Sequence, residues 1–96
     1  MKHHVTKGSV FDDLGFDDAE ASNLKIRADL MLAIEQELDK NGLTQAQAAK
    51  ILGVAQPRIS DIRRGKMQLF TIDALVKMLA KLGKPVSFMI DGHLAA

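Results

Sequence analysis

Residues Thr44 to Lys66 are the stretch with the fewest ways to fold. They read as two short helices joined by a tight turn at Gly53. Thr44 can N-cap the first helix, and Gln47, three residues on, completes a capping box. Ala48, Ala49, Ile51 and Leu52 give that helix an apolar side, and the small alanines let another helix approach closely. Gly53 suits the left-handed position just past a helix end, where a side chain costs energy. Val54 is expected to plug the core as the chain turns. Pro57 is tolerable only in a helix's first turn, where its missing N–H leaves no bond unmade. Ile59 and Ile62, three apart, face inward, and Gly65 stops the second helix. That leaves Gln56, Arg58, Ser60, Asp61 and Arg63 outward, an unusual set for a merely solvated face.

The flanking chain reads as support for this pair. Residues 1–8 lack apolar periodicity and are expected to form a loose, flexible N-terminus. Residues 9–20 are an acidic lead-in in which Ser9 to Asp12 offers a capping box for a single helical turn, with Phe11, Leu14 and Phe16 too apolar for a free tail. Asp17 and Glu20 then cap a long helix ending at Asn41-Gly42, whose Leu24, Ala28, Met31, Ile34 and Leu38 follow helical spacing, with Leu30 beside them. Arg27, Glu35, Glu37 and Lys40 fall mostly outside that stripe. Beyond the central motif, Met67 to Phe70 is a connecting loop. Thr71 caps a last helix that buries Ile72, Leu75, Leu79 and Leu82; Gly83 ends it and Pro85 prevents resumption. Residues 21–83 thus form the central helical domain, and residues 84–96 a strand and tail. Val86, Phe88 and Ile90 alternate on one side of that strand. A lone strand leaves backbone groups unpaired. Pairing with the same strand of a second copy satisfies them and predicts a homodimer; tucking against the core, or pairing near Val10, are the alternatives.

Charge is uneven. Residues 1–41 carry five Lys/Arg against nine Asp/Glu, net −4, whereas residues 42–96 carry eight against three, net +5. The basic half contains the helix pair, where a polyanion would be attracted. No apolar run approaches the roughly 20 residues needed to cross a bilayer, and there is no signal-peptide pattern. The absence of cysteine is compatible with a reducing cytoplasm, the expected location. Enzyme chemistry is not expected: there is no phosphate loop, and His93 lacks a Ser or Asp arrangement for a triad. No cofactor or metal is expected either. His3 and His4 read as incidental, and Asp12-Asp13 and Asp17-Asp18 fit helix-start charge better than a metal site.

Thr44-Gln45, Ala48-Ala49, Ile51-Leu52-Gly53-Val54, Gln56, Ile59-Ser60 and Gly65-Lys66 together resemble a helix-turn-helix of the Xre/Cro-repressor kind. Ala55 departs from the pattern, which usually places a Ser or Thr cap there. The lead-in Ser9-Val-Phe-Asp-Asp-Leu-Gly-Phe16 and the ending Leu82-Gly-Lys-Pro-Val-Ser-Phe-Met-Ile90 extend the resemblance to the compact HigA-like antitoxin branch. The resemblance implies an all-α, lambda-repressor-like bundle with one short C-terminal β-strand. It also implies a bacterial regulator that represses its own operon and binds a co-encoded ribonuclease-type toxin. Two alternatives stand beside it: a phage-type repressor without a toxin, and a module that caps a toxin with little DNA binding.

On double-stranded DNA the second helix would enter the major groove, which is about 12 Å wide. From the start that Pro57 sets, Gln56 can pair with adenine N6 and N7, and Arg58 with guanine O6 and N7. Asp61 can accept from cytosine N4 or orient Arg58 or Arg64. Gln45 can hold a phosphate beside the first helix's N-terminal amides, and Ser60, Arg63, Arg64 and Lys66 are candidate backbone contacts. A two-fold dimer would set two such helices about 34 Å apart and imply a palindromic operator. The acidic segment Phe11–Glu20 could complement a basic ribonuclease, or simply pack on its own domain.

Overall fold

The computed structural model describes residues 17–90 and 93–94. The readings for residues 1–16, the histidine pair and the Ser9 capping box among them, lie outside the described residues. The elements in order are α1 (Asp18–Lys40), α2 (Gln45–Leu52), α3 (Gln56–Arg63), a 3-10 turn at Met67–Leu69, α4 (Ile72–Lys81), and a short antiparallel ladder of β1 (Met89–Ile90) with β2 (His93–Leu94).

The helix starts follow the capping residues in the sequence. The Asp17 carboxylate accepts the Glu20 N–H at 2.7 Å, and Asp18 and Glu20 place negative charge at the positive end of the α1 dipole. At α2, Thr44 Oγ1 accepts from the Gln47 N–H at 3.1 Å while Gln47 Oε1 accepts from the Thr44 N–H at 2.9 Å. Thr71 Oγ1 accepts from the Ala74 N–H at 3.0 Å and opens α4. Ala55 gives α3 no side-chain cap. The omission is milder than usual, because Pro57 has no N–H and the Arg58 amide already donates to the Ala55 carbonyl at 2.9 Å.

The four helices share one core. Ile34 and Leu38 from α1, Leu52 from α2, Ile59 and Ile62 from α3 and Leu75 from α4 are fully buried. Met31, Ala48, Ala49, Phe70, Met78 and Leu79 complete the cluster, with Val54 and Leu82 packed against its edge. Burying an aliphatic side chain of this size is worth roughly 1.5–3 kcal/mol. α1 lies along α4, and α3 packs against α2. Gly53 turns the chain between α2 and α3 with φ +70°, and the Lys81 ammonium donates to the Leu52 carbonyl at 3.2 Å on the same spot.

The C-terminal strand differs from the sequence expectation. Regular pairing covers Met89–Ile90 and does not begin at Val86; Met89 stands opposite Leu94 and Ile90 opposite His93 within the same chain. One edge of β1 therefore has a local partner, so the premise that the strand needs another molecule's backbone is corrected. Val86, Phe88, Met89 and Ile90 all have exposed side chains.

Two substitutions test these local arguments by urea denaturation. Gly53→Ala should lower stability by about 1–2 kcal/mol, since it strains a left-handed residue and puts a Cβ 3.2 Å from Lys81 Nζ. Ala55→Ser should change stability by less than about 0.5 kcal/mol, since Pro57 has no amide to cap and that of Arg58 already donates to the residue 55 carbonyl.

Candidate nucleic-acid interface

Two inward residues orient α3. Each residue advances about 100° around a helix, so the side opposite Ile59 and Ile62 carries Pro57, Ser60, Asp61 and Arg64. Gln56 and Arg63 lie on one flank and Arg58 on the other. Gln56, Pro57, Arg63 and Arg64 are exposed, whereas Ser60, Asp61 and Arg58 are half-buried. Gln45 is the first residue of α2 and is exposed beside the Thr44 cap.

The charged groups differ in how far they are committed to other parts of the protein. Arg58 Nη2 donates to the Leu69 carbonyl at 3.0 Å, and its guanidinium carbon lies 4.2 Å from the centre of the Phe70 ring. Asp61 sits between two cations, with Arg58 Nη1 at 4.0 Å and Lys66 Nζ at 3.8 Å. Its carboxylate is thus directed toward its own basic neighbours, Arg58 and Lys66. Arg63 Nη1 donates to Asp39 Oδ1 of α1 at 2.6 Å. Arg64 has no ion-pair partner among the described residues. The groups that project without an internal partner are therefore Gln56 and Arg64, with Ser60 between them.

One contributor is absent from the sequence reading. Arg27 was expected outside the α1 stripe, yet it is half-buried. Its Nε donates to Asn23 Oδ1 at 2.7 Å, and its Nη1 donates to the Met67 carbonyl at 3.0 Å and the Phe70 carbonyl at 3.4 Å. At 100° per residue Arg27 in fact falls between Ile34 and Leu38, inside the apolar stripe, so its inward direction follows from the periodicity although its acceptors do not. Nothing in that pattern marks a side chain that reaches forty residues along the chain.

The ion pair between Arg63 and Asp39 is solvent-accessible on both sides, at 33% and 69% side-chain exposure. Pairs of this kind contribute up to about 1 kcal/mol. A double-mutant cycle with Arg63→Ala and Asp39→Ala, read by thermal denaturation, should give a coupling below that figure.

Among the described residues no helix is long and apolar enough to cross a membrane. Residues 10–91 match the family model of a helix-turn-helix domain. A solved XRE family transcriptional regulator is similar at 30% identity and a TM-score of 0.71, over 80% of this chain and 91% of that one. A toxin-antitoxin module from Streptococcus pneumoniae is similar at 26% identity and a TM-score of 0.57, over 88% of this chain and 96% of that one. No curated protein matches the chain significantly. With a domain match that runs from the lead-in to the C-terminal strand, the chain belongs to the helix-turn-helix family of the XRE type.

Proposed function

We propose that the protein is a sequence-specific DNA-binding repressor that works as a homodimer. The observation that carries this reading is the polar ridge Gln56–Ser60–Arg64 along α3 and its C-cap, which lies off the face that buries Ile59 and Ile62. Gln56 offers a donor and an acceptor to an adenine, and Arg64 a fork of donors to guanine or to phosphate. Pro57 fixes the first turn of the same ridge. Gln45, Ser60, Arg63 and Lys66 take the backbone, where they fix register without reading sequence. Asp61 keeps Arg58 and Lys66 in place beside them.

One eight-residue helix makes few base contacts, so a second copy is part of the proposal. Val86, Phe88 and Ile90 expose apolar side chains near the end of the chain. Placing them against their counterparts across a two-fold axis removes that surface from water and presents two reading helices to a palindromic operator.

The likeness to a toxin-antitoxin module supports a second role as the antitoxin of a type II pair that autorepresses its operon. The partner in that reading is a co-encoded ribonuclease-type toxin, and the excess acid of residues 1–41 suits a basic surface. A stand-alone repressor is the alternative. Co-purification with the product of the adjacent reading frame decides between them.

Gel-shift titration against the DNA upstream of the gene tests the main reading. Gln56→Ala and Arg64→Ala should each cost about 1–3 kcal/mol of binding where they meet a base; full retention of specific binding by both would refute the assignment of α3. Phe88→Glu should shift sedimentation from dimer to monomer and weaken operator binding with it.

A further inference from the structure

The turn Met67–Leu69, with Phe70 after it, is held by arginines from two different helices. Arg27 of α1 donates to the carbonyls of Met67 and Phe70, and Arg58 of α3 donates to that of Leu69. Phe70 is 2% exposed, with the Arg58 guanidinium against its ring at 4.2 Å. Three carbonyls within four residues thus accept from side chains that belong to separate elements. Asp61, one turn after Arg58, faces the same guanidinium and also Lys66, which immediately precedes the turn.

We propose that Arg58 is a positioning residue: it locks the Lys66–Phe70 segment to the reading helix so that Lys66 and the exposed Gln68 meet the DNA backbone in register with Gln56, Ser60 and Arg64. A guanidinium that reads guanine must present two parallel donors to the base edge. Here one of its nitrogens is spent on Leu69, its face on Phe70, and its flank on Asp61. Arg58 therefore acts through the turn, and the base-reading role expected from its place in the sequence passes to its neighbours. The inference rests on the DNA-binding reading and specifies how that surface is held.

The test starts with a duplex that the native protein selects from a randomised library, together with all its single-base-pair variants. Affinities are measured by fluorescence anisotropy at a temperature where circular dichroism shows every protein fully folded. Arg58→Ala should weaken binding about tenfold on every duplex alike and leave the ranking of base pairs unchanged. Phe70→Leu, which keeps an apolar filler and removes the ring, should shift affinity in the same direction. The double variant should bind no more weakly than Arg58→Ala alone, because both changes release one contact. Arg58→Lys, which keeps the charge and one donor, should recover part of the loss. Hydrogen exchange should quicken at the Leu69 and Phe70 amides in Arg58→Ala while the Leu75 amide stays protected.

A flattened preference at one base pair would make Arg58 a reader and overturn the proposal. Unchanged affinity in the folded variants would reduce it to a stability contact, which also overturns it. If the native protein selects no duplex, the DNA-binding reading itself falls. Hydrogen exchange then still decides whether Arg58 holds the turn, and unchanged exchange there refutes that.

Discussion

The structure depends on burying Ile59 and Ile62 against residues that α3 does not itself supply. A helix of eight residues is unstable alone in water, because the cost of its first turn is spread over too few hydrogen bonds. α3 also lacks a side-chain cap and carries a proline. It is therefore helical because Leu52, Ile34, Leu38 and Leu75 give its two isoleucines somewhere to go. The same burial fixes its rotation, since with two inward positions set the outward ones follow from helical geometry. Stability and recognition consequently draw on one set of contacts, and loosening the core would blur the ridge before it unfolded the protein.

The charge split between the two halves of the sequence takes a more interleaved form in space. Asp39 and Glu37 near the end of α1 reach across to Arg63 and Lys84 of the basic half. Part of the positive charge near α3 is thereby held by acids of the other half, and Arg64 remains without such a partner among the described residues. Net charge by segment signals attraction to a polyanion. It does not identify which cations are available to one.

Local signals were legible in the sequence and distant ones were not. Thr44, Gln47, Gly53, Asp17 and Thr71 act on groups within four residues, so their types and spacing already determine the helix ends. The inward faces of α1, α3 and α4 follow from a 3.6-residue period. Arg27 and Arg58 are different: their partners lie 40 and 11 residues further along and are backbone carbonyls, which every residue possesses. No residue pattern encodes such an acceptor. The C-terminal ladder is a further case, because the alternation from Val86 suggests a longer strand than the Met89–Ile90 pairing that forms.

The bond from Lys81 to the Leu52 carbonyl has a geometric consequence for everything downstream of α4. It fastens the last turn of the final helix to the bend between the first two short helices, and Lys84 approaches Glu37 at 4.0 Å just beyond. The segment carrying Phe88 and Ile90 accordingly departs from a pivot whose location is set by the bend itself. Two molecules joined through that segment would inherit a defined spacing between their bends, much as calipers hold a setting once the hinge is tightened.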